Sequence, residues 1–293
     1  MTDFHGIFPY LVSPIDEGTG RVRERVLRDL VEHLIQCGVH GLSPLGSTGE
    51  FAYLTFEQRG EIVRIVVDAA AKRVPVVAGV AAFSTFDALR QGEAFVKLGV
   101  DGLILILQQM FPVPPRGIER YFRALAEAFP ETSMTPYTNP GLLGSDIPLE
   151  VLDTLSYLAN IEYVKDASGN TGRILTLLNR MGERIKVFSA SAHIPLLVLQ
   201  LGGVGWMAGP ACVMPRECVR LYTLAREGRM AEAMAEQRKQ WAMNEVFTKY
   251  SLAACIKTAL RFQGFDVGDA ISPQEPLSSQ AVEDIRRALA QLK

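Results

Sequence analysis

Short apolar stretches rich in β-branched residues alternate with longer helical patterns along most of this chain. Eight such stretches are candidate strands, and several are apolar at consecutive positions. That pattern is typical of parallel strands that are buried on both faces. The candidate strands are residues 7–13, 39–44, 74–79, 102–107, 132–137, 161–165, 185–189 and 204–208.

A helical pattern follows each candidate strand. Thr55 and Gln58 have the spacing of a capping box at the start of the second helical pattern. A strand followed by a helix, eight times over, predicts an α/β fold of the (β/α)8 TIM-barrel type, with a doubly wound sheet as the alternative. The predicted helices are residues 23–37, 55–72, 86–98, 117–129, 149–158, 172–181, 193–201 and 215–224.

The strand pattern stops after about residue 224. Residues 225–250, 252–263 and 278–292 have helical patterns, and a turn-rich segment lies between the last two. These helices are too apolar on one face to be solvated alone, so we expect them to pack on the barrel or on another subunit. The sequence therefore predicts a catalytic barrel at 1–224 and a C-terminal three-helix extension at 225–293.

Composition excludes several classes of protein. The chain has 30 Lys and Arg against 32 Asp and Glu, a net charge of −2, so it lacks the basic excess of a dedicated nucleic-acid or membrane-surface binder. We also expect no transmembrane span and no signal peptide. The four cysteines, at positions 37, 212, 218 and 255, form no C-x-x-C pair, which is typical of reduced thiols in a cytoplasmic protein.

Lys165 ends the sixth candidate strand, and chemistry in a barrel lies at the carboxyl ends of the strands. Because side chains alternate, Lys165 points into the barrel if Val164 and Asp166 face the helices. Burial would lower the lysine pKa and favour the neutral amine, which can attack a ketone to form a Schiff base. A solvent-exposed or ion-paired lysine is the alternative.

Two further groups lie at strand ends. The loop Gly46-Ser47-Thr48-Gly49-Glu50 follows the second strand, and its hydroxyl and N–H groups could hold a carboxylate, although an ordinary glycine-rich turn fits as well. Tyr137 ends the fifth strand and could relay protons, although it could also serve packing alone. The four histidines and the carboxylates show no metal-ligand spacing, so we expect no metal and no cofactor.

With these three groups in this order, the sequence resembles the dihydrodipicolinate synthase / N-acetylneuraminate lyase family of class I aldolases. The resemblance covers nearly the whole chain. It includes the Gly-Ser-Thr-Gly-Glu loop, Tyr137 with Pro140, Lys165 with Gly169, and the late Ile256-Lys257 pair.

The resemblance implies a lyase that works on pyruvate or another 2-oxo acid, with an aldehyde as a possible second substrate. Lys165 would form the Schiff base, Ser47 and Thr48 with Gly46 would hold the carboxylate, and Tyr137 would move protons. It also implies a homotetramer built as a dimer of dimers, with active sites near one interface.

Two departures bear on the substrate. Dihydrodipicolinate synthases carry two adjacent tyrosines after the fourth strand. This chain has Leu107-Gln108-Gln109-Met110-Phe111-Pro112 in that stretch, so we expect the relay phenol to be missing. Their arginine for aspartate semialdehyde is replaced by Leu142. Loss of that charge-assisted contact costs about 1.5–3 kcal/mol, so we expect poor use of aspartate semialdehyde.

A sialic acid is also a poor match, because that branch of the family has polar groups where this chain has Ala167 and the run Ser189-Ala190-Ser191-Ala192. Six apolar residues favour a second substrate that is smaller or less polar than a sugar acid: Met110, Phe111, Leu142, Leu143, Trp206 and Met207. Two alternatives stay open: a non-catalytic protein that binds or senses a 2-oxo acid on the same barrel, and an unrelated barrel enzyme.

Overall fold

Seven parallel strands form one curled sheet in the computed structural model, which describes residues 3–292 apart from the side chain of Leu142. Their order around the sheet is β1-β7-β6-β5-β4-β3-β2. The strands are β1 (Gly6–Pro9), β2 (Val77–Ala82), β3 (Gly102–Leu107), β4 (Ser133–Thr138), β5 (Tyr163–Asp166), β6 (Lys186–Ser189) and β7 (Gly205–Ala208).

The predicted strand at 39–44 is not a continuous strand, and this corrects the expectation of eight. Its residues pair only as isolated bridges, Ser43 with Tyr10 and Leu42 with Val76. They nevertheless join the two edges of the sheet, because the Ser43 N–H donates to the Pro9 carbonyl at 3.0 Å and the Val77 N–H to the Leu42 carbonyl at 2.9 Å. The sheet is therefore TIM-barrel-like, as expected, but residues 39–44 fill the place of the eighth strand through isolated bridges alone.

The predicted helices all occur, with ends that shift by up to five residues. Thr55 caps the second helix as expected, since its side chain accepts from the Gln58 N–H and the Gln58 side chain accepts from the Thr55 N–H. The helices are α1 (Glu24–Gln36), α2 (Phe56–Ala70), α3 (Thr85–Lys97), α4 (Pro115–Ala128), α5 (Pro140–Leu143), α6 (Leu149–Leu155), α7 (Thr171–Met181), α8 (Pro195–Gln200), α9 (Pro215–Arg226), α10 (Met230–Lys249), α11 (Leu252–Phe262) and α12 (Ser279–Leu292).

Two apolar clusters lie on opposite faces of the sheet. The larger one fills the space between the strands and the surrounding helices, and it includes Val164 and Trp206. The smaller one lies inside the curl of the sheet and is mostly aromatic; it includes Phe8, Tyr137 and Phe188. Successive residues of each strand point to opposite faces of the sheet, so every second side chain lies in the interior and the others face the helices.

The helices after the last strand contact the sheet through a buried ion pair. Lys257 on α11 lies 2.5 Å from the carboxylate of Glu50, and both side chains are almost fully buried. Glu50 also accepts from the Ile271 N–H at 2.8 Å and from the Gln274 amide at 2.6 Å. The loop after the second predicted strand is thus fixed from the carboxyl-terminal side of the chain.

Within residues 3–292, no helix is both long enough and apolar enough to cross a membrane. The four cysteines are free and buried thiols.

Replacing Lys257 by Met should destabilise the fold strongly, because it leaves the Glu50 carboxylate buried without its cation. Breaking a buried pair in this way typically costs about 3–5 kcal/mol. A matched control is Lys249→Met, since Lys249 pairs with Asp284 at 3.0 Å but is largely exposed, and such pairs contribute about 0–1 kcal/mol. Chemical denaturation of both variants checks this; equal losses would contradict it.

Candidate active site

Lys165 lies inside the curl of the sheet, near the end of β5. The residue before it, Val164, packs into the outer cluster. The residue after it, Asp166, also points outward, where its carboxylate accepts from the Arg173 guanidinium at 3.1 Å. Alternation therefore turns the Lys165 side chain inward, where only 2% of the residue is exposed.

Two tyrosine rings flank the lysine amine. Tyr137 on β4 is the register partner of Lys165, and Lys165 Nζ lies 3.5 Å from the centre of its ring. The ring of Tyr10, which follows β1, lies 3.9 Å from the same nitrogen. Hydrogen-bond register thus brings together two residues that are 28 positions apart in sequence.

Burial lowers the pKa of the Lys165 amine well below the ordinary lysine value of 10.5. Two ring faces favour the ammonium form through cation–π contacts. Burial opposes them by removing the ammonium ion from water, and it is the cause of the lowered pKa. Desolvation therefore outweighs the rings, and the neutral, nucleophilic amine is favoured.

Tyr137 keeps its proton in this environment. Its hydroxyl accepts a hydrogen bond of 2.6 Å from the side-chain amide of Asn139. Burial raises the pKa of Tyr137 to about 12, although hydrogen bonds with Asn139 and Ser47 oppose the shift. At neutral pH the phenol is a proton donor placed against the amine.

The loop that carries Ser47 and Thr48 is tightly constrained. A Cβ atom on Gly46 would lie 1.8 Å from the Tyr10 ring, so only glycine lets the backbone approach that ring. Leu45 and Glu50, on either side of the loop, both have positive φ angles, of 62° and 54°. Such strain in residues with side chains persists only where surrounding contacts hold it, and it occurs often at functional sites.

A cavity of about 310 Å³ opens above Lys165 and brings five of the predicted site residues together: Lys165, Tyr137, Ser47, Thr48 and Met207. Its other lining residues are Tyr10, Asn139, Ala167, Ala190, Ser191, Ala192, His193, Ala208, Gly209, Pro210, Asn244, Phe247, Thr248 and Leu252. A second cavity, between α1, α9, α11 and α12, is larger at about 690 Å³, but neither Lys165 nor Tyr137 lines it.

Three predicted site residues do not line this cavity with a described side chain. Gly46 supports the loop behind the Tyr10 ring. Met110 is 76% exposed on the surface. The Leu142 side chain lies outside the described part of the structure.

Two of the apolar residues that suggested a less polar second substrate lie away from the cavity. Phe111 is 77% exposed, and Trp206 packs in the outer cluster. Met207 is the residue of that group that lines the cavity.

Several cavity residues were missed from the sequence. Tyr10 lies two positions beyond Phe8, so period-two alternation from the first strand would have predicted its inward direction. Asn244 and Thr248 come from α10, and their place depends on how that helix packs over the barrel, for which the sequence carries no local signal. Within residues 3–292, no group of three or more His, Cys, Asp or Glu side chains could hold a metal ion.

Comparison with known proteins agrees with this geometry. The model of the dihydrodipicolinate synthetase family matches residues 3–292. A 4-hydroxy-tetrahydrodipicolinate synthase of Methanospirillum hungatei is 31% identical over 290 residues, which are 98% of this chain and 99% of that protein. The 4-hydroxy-tetrahydrodipicolinate synthase of Natronomonas pharaonis is 31% identical over an alignment of 294 positions, which covers 99% of this chain and 98% of that protein.

Solved structures agree as well. A putative dihydrodipicolinate synthetase from Pseudomonas aeruginosa superposes with a TM-score of 0.95 at 26% identity, covering 99% of this chain and 100% of that one. The prophage protein YagE of E. coli K12, solved in complex with pyruvate, gives a TM-score of 0.92 at 25% identity over 99% of this chain and 98% of that one. On the match that spans residues 3–292, this chain belongs to the dihydrodipicolinate synthetase family.

Proposed function

We propose that this protein is a class I lyase that forms a Schiff base between Lys165 and the keto group of pyruvate or a related 2-oxo acid. The observation that carries this proposal is the buried amine of Lys165, which lies against the rings of Tyr10 and Tyr137 at the base of a cavity. An amine whose pKa is lowered by burial is the nucleophile that imine formation requires.

Each cavity group has a defined part in the proposed reaction. The neutral Lys165 amine adds to the C2 carbonyl, and the carbinolamine then loses one water molecule to give the imine. Tyr137 donates the proton that this leaving water needs and can take a proton back later. Ser47 and Thr48 would hold the carboxylate through hydroxyl and backbone N–H groups, without a formal positive charge.

The protonated imine then acts as an electron sink. It lets C3 of the bound acid lose a proton, or a carbon fragment, as an enamine. The same intermediate serves aldol cleavage, aldol condensation and dehydration, so the proposal covers both carbon–carbon and carbon–oxygen lyases. The structure of YagE in complex with pyruvate supports pyruvate as the first substrate.

Use of aspartate semialdehyde is proposed to be inefficient, although relatives are named 4-hydroxy-tetrahydrodipicolinate synthase. The semialdehyde carries its own carboxylate, which needs a cation. Among the described residues that line the cavity there is no arginine, and Lys165 is the one lysine. That lysine is assigned to the keto acid, so a second carboxylate would be desolvated without a partner.

Three broader proposals accompany this function. The chain would comprise a barrel at 1–224 and a helical extension at 225–293, which the Glu50–Lys257 pair would join. It would assemble as a homotetramer, a dimer of dimers, as the family resemblance implies. It would work in the cytoplasm, consistent with four free thiols.

A non-catalytic 2-oxo-acid binder is the second candidate. It is favoured by one feature: the stretch Leu107-Gln108-Gln109-Met110-Phe111-Pro112 has no tyrosine where dihydrodipicolinate synthases carry the relay phenol. The binder would form the imine and stop there. The retention of Tyr137 against the amine speaks for catalysis.

Borohydride reduction in the presence of pyruvate should add one reduced pyruvyl group to the peptide that contains Lys165. Lys165→Met should abolish the adduct, because it removes the amine. Tyr137→Phe should keep the adduct but lower turnover by about 10²–10⁴-fold, the usual contribution of a positioned proton donor. Peptide mass spectrometry measures the adduct; labelling of Lys257 or Lys186 instead would refute the assignment.

The rate of this trapping reaction should become independent of pH well below 10.5. Because burial lowers the Lys165 pKa, the neutral amine already predominates once the pH exceeds the lowered value. An ordinary lysine would instead gain about tenfold in rate per pH unit up to about 10.4. Initial trapping rates between about pH 6 and pH 10 test this; a rise that continues to the top of the range would contradict it.

With pyruvate and aspartate semialdehyde, kcat/KM should be at least about tenfold lower than that of a relative with the arginine, which corresponds to losing about 1.5 kcal/mol or more. Steady-state assays compare this protein with a 4-hydroxy-tetrahydrodipicolinate synthase whose sequence carries that arginine. Pyruvate trapping in the same preparation shows that the sites are intact. Equal turnover by the two enzymes would disprove the prediction.

A further inference from the structure

The side chain of Asn139 contacts the phenol that the proposed reaction needs. Asn139 directly precedes α5, two positions after Tyr137, and it lines the catalytic cavity together with Lys165. Its Nδ2 donates to the Tyr137 hydroxyl oxygen at 2.6 Å, which is short for a hydrogen bond from a nitrogen donor. The Tyr137 ring in turn lies 3.5 Å from Lys165 Nζ. Asn139 is therefore one hydrogen bond away from the group that moves protons.

The position of Asn139 indicates which end of its amide meets the phenol. An asparagine directly before a helix usually turns its side-chain oxygen towards the N–H groups of the first turn. Here Oδ1 is 3.6 Å from the point where a Cβ atom on Gly141 would lie, in the first turn of α5. The nitrogen is left for Tyr137, and an amide nitrogen donates but does not accept. Asn139 Nδ2 therefore cannot hold the phenol proton, which stays available to the cavity.

A donor at the phenol oxygen acts on the phenolate more than on the phenol. When Tyr137 gives its proton to the leaving hydroxyl of the carbinolamine, the C2–O bond breaks, the nitrogen lone pair forms the imine, and a phenolate remains. Hydrogen bonds to an ionised acceptor are roughly twice as strong as those to a neutral one. The Asn139 bond accordingly opposes the burial that raises the Tyr137 pKa. The amide favours the charged state that proton transfer creates.

We propose that Asn139 is a positioning residue for Tyr137: its amide holds the phenol oxygen, leaves the phenol proton for the substrate, and stabilises the phenolate between two proton transfers. In the second transfer the phenolate takes a proton from C3 of the protonated imine, and the C–H electron pair forms the enamine. This inference rests on the proposed function, since both transfers require the imine of Lys165.

Exchange of the pyruvate methyl hydrogens in heavy water measures these transfers without a second substrate. Tyr137 exchanges its proton with solvent, so each return of the enamine to the imine places deuterium on C3, which NMR detects. Asn139→Asp keeps an oxygen for the first turn of α5 but, when ionised, has no donor. It should lower the exchange rate constant by about 10–100-fold, as expected for a hydrogen bond to a charged group, and leave the half-saturating pyruvate concentration unchanged.

The Tyr137→Phe background separates positioning from other effects. If Asn139 acts through the phenol, Asn139→Asp should cause no further loss of the residual exchange there. A new charge acting directly on Lys165, or a distorted α5, would lower exchange in both backgrounds. Asn170→Asp is the matched control, because Asn170 precedes α7 and accepts from the Arg173 N–H at 3.0 Å. It should leave exchange unchanged.

The pH dependence gives a readout that a purely structural role would not change. Protonation of the new carboxyl restores a donor, so the exchange rate of Asn139→Asp relative to wild type should rise as the pH falls from about 8 to about 5, towards the ordinary carboxyl pKa of about 3.9. A flat ratio, or equal losses in both backgrounds, would overturn the inference. So would wild-type protein that is trapped on Lys165 but does not exchange. If pyruvate were neither trapped nor exchanged, the proposed function itself would fail.

Discussion

Desolvation of one amine is the constraint on which the rest of this site depends. Lys165 is inside the curled sheet because its neighbours on β5, Val164 and Asp166, are committed to the outer face. An ammonium ion there has lost its water and gained two aromatic faces, which offset only part of the loss. The neutral amine that results is the reactive form. The sheet favours this form because it directs the Lys165 side chain into the buried interior.

The loop that carries Ser47 and Thr48 is also tightly constrained by its surroundings. Gly46 lets the backbone lie against the Tyr10 ring, and positive φ angles at Leu45 and Glu50 turn the chain sharply on both sides. The buried carboxylate of Glu50 is then fixed by Lys257 and by the segment before α12. A helix from the end of the chain thus stabilises the strained loop that carries the proposed carboxylate site, which links folding of the C-terminal helices to the active site.

The cavity wall is completed by residues that the sequence analysis did not name. Met110 and Phe111 lie on the surface, and Trp206 faces the helices. Asn244, Phe247 and Thr248 line the cavity from α10, at positions 79 or more residues beyond Lys165. Apolar residues that follow the strands in sequence therefore do not predict the character of a cavity wall to which a distant helix contributes.

Periodicity by itself determined most of the fold. Runs of consecutive apolar residues predicted eight strands, of which seven form, and alternation beginning at Val164 predicted the direction of Lys165. Both are local properties of an extended backbone. The sequence alone also singled out Tyr137, Ser47 and Thr48. Only the tertiary structure decided that 39–44 would join the sheet through isolated bridges. It alone brought Asn244 to the cavity, because helix packing over a barrel depends on contacts between residues far apart in the chain.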